Sequence, residues 1–216
     1  ESRLPESEYV INPYLGCAHG CKFCYCREFT KRITKHREPW GEYVDVRINA
    51  PTVLREQLKK PHRGTVFLSS LTDPYQPVEK KYEVTRKILQ ELLHGMKTNP
   101  ELKVSILSRG YFVTRDIDLF KQFGDTIEVG FSINTLDESY RRNFEPVAAP
   151  AKRRLEQLKE LHDNGIRTYV GLGPVLPYFT KPEELYKEFD RVGVNWVFTE
   201  SFNTRGDNWI EFKRVL

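Results

Sequence analysis

The feature that most limits what this chain can fold into is its alternation of short apolar runs with longer amphipathic ones. Residues 8–13 (EYVINP), 65–70 (TVFLSS), 103–108 (KVSILS), 127–134 (IEVGFSIN), 166–172 (IRTYVGL) and 194–199 (VNWVFT) read as strands. Helical spacing lies between them: Leu54 and Leu58 in 52–60; Val84, Ile88, Leu89, Leu92 and Leu93 on one face of 79–95; Ile117 and Phe120 in 114–123; Leu155, Leu158 and Leu161 in 151–164, stopped by Gly165. Thr180 and Glu183 have capping-box spacing around Pro182 and open a helix carrying Leu185 and Phe189. Six buried strands separated by helices predict an α/β fold with a parallel sheet and right-handed crossovers, as an open sheet or an incomplete barrel. Either places functional residues at the C-terminal strand ends. Polar residues gather there: Ser69, Ser70, Thr72 and Asp73; Ser108 and Arg109; Ser132 and Asn134; Glu200 and Asn203. Residues 27–64 are basic with little apolar periodicity and read as an excursion between the first and second strands.

The 216 residues are predicted to form one domain, 1–216, large enough to bury a core without disulfide staples. The chain opens on Glu1 rather than Met and ends in a polar stretch after Trp209, which suggests trimming at both ends. With 39% hydrophobic and 30% charged residues, a mean hydropathy of −0.57 and no apolar run of 18 residues, no membrane-spanning helix is expected. A net charge of +4 permits a phosphate-bearing partner without demanding one.

The cysteines say more than the charge. All four, Cys17, Cys21, Cys24 and Cys26, lie within ten residues, in NPYLGCAHGCKFCYC. A disulfide scaffold spreads its cysteines, so this clustering points to a metal or cluster site in a reducing compartment, and a cytoplasmic location is expected. The first three are spaced C-x3-C-x2-C. Structural zinc is the competing reading; it needs four ligands, usually as two separated pairs, and here only His19 or Cys26 is at hand as a fourth. Three thiolates in one compact loop suit a 4Fe–4S cubane with one open iron, and Gly16 and Gly20 let the loop wrap closely.

This loop resembles the signature of the radical S-adenosylmethionine superfamily, C-x3-C-x-aromatic-C, with Phe23 at the aromatic position. The segments NPYLGCAHGCKFCYCREF, SSLTDPYQPVEKKYEVTRKIL, VTRDIDLF, SINTLDESYRRNFEP and KRRLEQLKELHDNGI extend the resemblance to the spore photoproduct lyase-related group, also labelled DNA repair photolyase-like, over about residues 10–180. The resemblance implies a partial (β/α)6 TIM-like barrel with the cluster loop after the first strand. It implies a 4Fe–4S cluster on Cys17, Cys21 and Cys24, with S-adenosylmethionine chelating the open iron. Reductive cleavage would then give a 5′-deoxyadenosyl radical that abstracts hydrogen, in an enzyme of lyase or transferase type. Ser70, Thr72 and Asp73 fall where members place groups near the cofactor's amino group. Arg109 and Ser132 occupy the places of a lysine and a serine that bind the cofactor, and Tyr25 is placed to stack on adenine or relay a radical. The lesion-reversing lyases return hydrogen from a cysteine well downstream of the loop, and this chain has none after Cys26.

The resemblance further implies a flavodoxin- or ferredoxin-type electron donor and a nucleic acid or nucleotide substrate. Basic runs at Arg27, Lys31, Arg32, Lys35, His36 and Arg37 and at Lys59, Lys60, His62 and Arg63 fit such a substrate; solvated lysines and arginines balanced by Glu28, Glu38 and Glu42 are the plainer reading. A small metabolite or peptide is the alternative substrate, and a metal-stapled binding module without catalysis the alternative class. No catalytic residue beyond the cofactor site is assigned.

Overall fold

The computed structural model describes residues 2, 4, 6–204 and 207–216; the Glu1 start falls outside them. Six parallel strands form one sheet in the order β1 (Tyr9–Ile11), β4 (Gly64–Leu68), β5 (Leu102–Ser108), β6 (Ile127–Ser132), β7 (Arg167–Val175) and β8 (Trp196–Ser201). All six predicted strands are present, and all neighbours pair parallel. β1 and β8 are the two edges, so the sheet is the partial barrel that the sequence implied. A two-residue antiparallel pair, β2 (Tyr14–Leu15) with β3 (Asp45–Val46), which the sequence did not suggest, flanks the cysteine loop.

Alternation along the strands sorts the two faces. Val66, Leu68, Val104, Ile106, Val129, Phe131, Val170 and Leu172 point outward, into one core with Leu54, Ile88, Leu92, Phe120, Leu158 and Phe189 from the helices. Leu92 and Leu158 are fully buried, each stabilising the fold by about 1.5–3 kcal/mol relative to exposure. The inner face begins with a polar-aromatic plug. Ser105 Oγ donates to Glu128, Trp196 Nε1 donates to the same carboxylate, and the Tyr169 ring stacks on Trp196 with centroids 4.7 Å apart. Gly130 gives the Tyr169 ring its room, for a Cβ there would stand 2.6 Å from it.

The helices follow their predicted spans with three corrections. The 79–95 helix is two, α3 (Glu79–Tyr82) and α4 (Val84–Met96), because Glu83 adopts the left-handed region at φ 51°. Thr180 does not cap α8 (Pro182–Arg191); its hydroxyl accepts from the Leu176 amide instead. The basic excursion contains the expected 52–60 helix as α2 (Ala50–Gln57) and an unexpected one, α1 (Cys26–Ile33). In α1 the usual apolar stripe is reversed: Cys26, Arg27 and Thr30 face inward while Phe29 and Ile33 are exposed, so its burial pattern gave no core signal. α5 (Ile117–Phe123) and α7 (Ala151–Asp163) lie where their leucines and phenylalanines placed them. The short α6 (Glu138–Phe144) and α9 (Asn208–Lys213) were not anticipated. No helix among the described residues is long and apolar enough to cross a membrane.

Candidate active site

The cysteine loop runs from β2 to α1 and lies against the C-terminal ends of β4 and β5. Gly16 (φ +86°) and Gly20 (φ +61°) turn it; a Cβ on Gly16 would lie 2.5 Å from the Tyr43 carbonyl oxygen. All four cysteines are free; Cys17, Cys21 and Cys26 are buried and Cys24 is half-buried. Burial pushes the Cys17 and Cys21 thiols up, and the neighbouring Asp73 adds to the effect at Cys17. The neighbouring Cys26 side chain holds Cys24 down, with Arg109 and Arg27 contributing, while the same proximity pushes Cys26 up. A bound metal or cluster favours the thiolate and works against that burial effect. Among the described residues no three His, Cys, Asp or Glu side chains gather as ligands of one metal ion. Cubane thiolates each take a different iron, so this donor set suits a cluster better than zinc.

The loop after β4 is tied directly to the cysteine loop. Thr72 Oγ1 donates to the Gly16 carbonyl at 2.6 Å and accepts from Gln76 Nε2 at 2.8 Å, while Gln76 Oε1 accepts from the Ala18 amide at 2.8 Å. Asp73 is buried and saturated by protein donors. Oδ1 accepts from the Tyr75 amide and from Ser108 Oγ, both at 2.8 Å, and Oδ2 accepts from the Arg109 amide at 2.7 Å. His19 Nε2, from inside the cysteine loop, stands 3.3 Å from the same Oδ2. Burial alone would raise the Asp73 carboxyl, but His19 and these donors hold it below its ordinary value. Ser70 accepts from Asn12 through its hydroxyl at 3.5 Å, and its carbonyl accepts from Tyr25 Oη at 3.0 Å and from the Cys26 thiol at 3.3 Å. Thr72, Asp73, Ser70 and Tyr25 thus converge on the loop and build it from its far side.

Two further predicted residues meet there. Phe23 is buried among Cys21, Tyr140, Phe144, Leu176 and Phe212, and Arg109 lies over its ring, with Cζ 5.6 Å from the centroid. Arg109 Nε donates to Glu145 Oε1 and Nη2 to the Gly173 carbonyl, both at 3.0 Å. Ser132 is buried at the end of β6, and its carbonyl accepts from Arg154 Nη1 at 2.6 Å.

Buried polar atoms at this junction without a hydrogen-bond partner among the described residues include Ser69 Oγ after β4, Asn134 Nδ2 after β6, His19 Nδ1 in the loop and Tyr140 Oη beside Cys21 and Phe23. An orphaned buried polar atom costs about 1–3 kcal/mol unless a ligand satisfies it. Three free thiols beside such orphans fit a cluster with a polar chelating ligand. Ser69 and Asn134 belong to the polar strand ends visible in sequence, but nothing in sequence separates them from Ser70 and Ser132. His19 signals itself only by its place between the cysteines.

A buried network anchors the other side of the loop. Tyr14 donates to Glu79, Arg115 Nη2 donates to Glu79 at 2.7 Å and to Asp116 at 2.8 Å, and Tyr75 Oη donates to Asp116 at 2.9 Å. Burial pushes the Tyr75 and Tyr14 phenols up. The basic run is largely neutralised: Lys31 pairs with Asp207, Arg32 with Glu28, and His36 with Glu38 and Asp45. Arg27 is buried, 3.8 Å from Glu211. A cavity of about 460 Å³ between α7 and α8, lined by Leu155, Lys159 and Val192, carries none of the site residues.

Residues 11–197 match the sequence profile of the Radical SAM superfamily, and the chain belongs to that superfamily, whose members use a 4Fe–4S cluster and S-adenosylmethionine. An uncharacterised protein of Methanocaldococcus jannaschii is 33% identical over the whole of this chain and 77% of its own length. The Radical SAM Nalpha-GlyT isomerase of Pseudomonas phage M6 is 28% identical over 94% of this chain and 41% of its own length. Among solved structures, spore photoproduct lyase with bound AdoMet and dinucleoside spore photoproduct superposes with a TM-score of 0.71 at 13% identity, covering 100% of this chain and 62% of the lyase chain. The chain therefore spans about three fifths of that enzyme. Streptococcus suis SuiB bound to its precursor peptide SuiA superposes with a TM-score of 0.59 at 15% identity, over 90% of this chain and 39% of that one.

Proposed function

We propose that Cys17, Cys21 and Cys24 hold the 4Fe–4S cluster and that the strand ends above them bind S-adenosylmethionine, for radical chemistry on a nucleic acid or nucleotide. When bound, the cluster and cofactor supply a 5′-deoxyadenosyl radical by one-electron reduction of the sulfonium. The carrying observation is the meeting of three free thiols with Ser69, Asn134, His19 and Arg109 at one end of the sheet.

This chain's residues divide the work. Arg109 Nη1 has no partner among the described residues, and the guanidinium is placed to take the cofactor carboxylate as a charge-assisted hydrogen bond. Ser69 and Asn134 offer polar groups to the rest of the cofactor. Thr72, Gln76 and Asp73 hold the loop's shape, and Phe23, Tyr140 and Phe144 close the apolar side that excludes water. Tyr25, half-exposed and fixed on the Ser70 carbonyl, lines the approach from solvent. The electron comes from a low-potential donor of flavodoxin or ferredoxin class.

The dinucleoside held by the lyase of like fold supports a nucleic acid or nucleotide substrate. The test is anaerobic incubation of the reconstituted, dithionite-reduced protein with S-adenosylmethionine, followed by chromatography for 5′-deoxyadenosine. Formation of 5′-deoxyadenosine is expected, with an increased rate when a thymine-containing oligonucleotide is added. Stimulation by peptides alone would move the substrate class to peptides, and no 5′-deoxyadenosine under any condition would contradict the catalytic reading.

A further inference from the structure

We infer that Glu145, backed by Arg154, is a positioning residue that aims the Arg109 guanidinium at the cysteine loop. The inference rests on the reading of Arg109 as the partner of the cofactor carboxylate. Two arginines and one glutamate meet here, and Glu145 and Arg154 are each about 1% exposed. Arg154 uses all its nitrogens inward: Nε donates to the Ala149 carbonyl at 2.7 Å, Nη1 to the Ser132 carbonyl at 2.6 Å, and Nη2 to Glu145 Oε2. The second oxygen of Glu145 accepts from Arg109 Nε. The carboxylate is therefore a bridge with one oxygen on each cation.

That bridge decides which way Arg109 faces. Nε is fixed by Glu145 and Nη2 by the Gly173 carbonyl, which stops rotation of the planar group. What remains is Nη1, on a guanidinium whose Cζ lies 5.6 Å from the centroid of the Phe23 ring in the cysteine loop. Without Glu145 the guanidinium keeps one tether and swings, and the buried Arg154 and half-buried Arg109 are left without their shared counter-ion.

Holding the local backbone does not require this carboxylate. Arg141 Nη1 already donates to the Glu145 and Ala148 carbonyls, at 2.9 and 2.8 Å, and the Ala149 amide donates to the Arg109 carbonyl at 2.8 Å. The Glu145 side chain is additional to that lacing, and its one contact toward the site is Arg109.

The test titrates the EPR signal of the reduced, reconstituted protein with S-adenosylmethionine in Arg109→Gln, Glu145→Gln and Glu145→Asp, with iron content and the thermal melt of the cluster-free protein as controls. Glu145→Gln is expected to bind the cofactor about tenfold more weakly at full iron content, the scale typical of residues that orient a ligand-holding group. Glu145→Asp should recover part of the loss, which a role confined to folding would not do. If Glu145→Gln melts without cooperativity or fails to hold iron, Arg154→Lys, which keeps the charge but loses the fork, is read in the same way. Affinity at the wild-type value in the folded Glu145 or Arg154 variant, with Arg109→Gln weakened, overturns the inference alone. Wild-type affinity in Arg109→Gln overturns the reading of Arg109 and the inference with it.

Discussion

Cys26 shows how finely roles divide between neighbouring residues. It is buried, hydrogen-bonds the Ser70 carbonyl, and starts α1 instead of completing the C-x3-C-x2-C set. Cys26→Ser should hold iron and acid-labile sulfide at close to wild-type stoichiometry, whereas Cys17→Ser, Cys21→Ser and Cys24→Ser should each lose most of the absorbance near 400 nm; colorimetric iron analysis reads both. Glu145 gives a prediction in pH. Burial would raise its carboxyl, but Arg154 and Arg109 outweigh burial and hold it below the ordinary glutamate value. A depressed acid stabilises the fold above its unfolded value of about 4.3 and loses that contribution as pH falls through the folded value. The melting temperature of the cluster-free wild type should therefore fall more steeply below about pH 4.3 than that of Glu145→Gln. At this scale spacing marks the three cysteines and Phe23, which the fold gathers in one loop. The sequence was less legible in choosing among hydroxyls. Thr72 and Asp73 stand out in sequence and bond to neighbouring loops, whereas Ser69 Oγ and Asn134 Nδ2 have no partner among the described residues, a distinction made by burial and partners alone.

Among the elements, strands were the most legible because their outward residues pack on helices and read as strong apolar runs. Helices were read less evenly. The 79–95 periodicity runs through Glu83 because α3 and α4 keep their apolar residues on the same core side. The break is a backbone event at one residue with positive φ, invisible to side-chain spacing. A glutamate there carries a cost of about 1–2 kcal/mol that glycine avoids. Glycine costs more on folding from the unfolded chain, so Glu83→Gly should stabilise by about 0.5–1 kcal/mol. A rise of about 1–4 °C in the thermal midpoint would show it, and a fall would contradict the account of the break. α1 was missed for the opposite reason: Arg27 and Thr30 face inward while Phe29 and Ile33 face out, so neither composition nor burial logic marks it.

Over the whole molecule, the alternation of strand and helix was enough to give a six-stranded parallel sheet and to place chemistry at its C-terminal edge. Charge was the poorest guide. The excess of +4 and the 27–37 basic run look like a phosphate-binding surface, but most of those cations are paired within the fold. Among the described residues of that run, the charged groups of Lys35 and Arg37 carry no ion pair. With Lys60 and Arg63 of the second basic run also outside any ion pair among the described residues, binding of a random duplex should be weak, with log K falling against log salt with a slope of about −4 or shallower, as expected for four phosphate contacts. Fluorescence anisotropy between 50 and 200 mM salt, on the order of the usual test range, measures it; a slope of about −6 would show that the paired cations are released to the nucleic acid. Recognition of a nucleotide would then rest on the mouth of the sheet rather than on the basic run.

The central claim is that the cysteine loop and the strand ends form one cofactor site. The most direct measurement is the EPR spectrum of the anaerobically reconstituted and reduced protein with and without S-adenosylmethionine. The account predicts a reduced 4Fe–4S signal whose g-values shift when the cofactor is added, a shift lost in Cys24→Ser. A cluster signal indifferent to the cofactor, or tight zinc binding in place of any cluster, would contradict it.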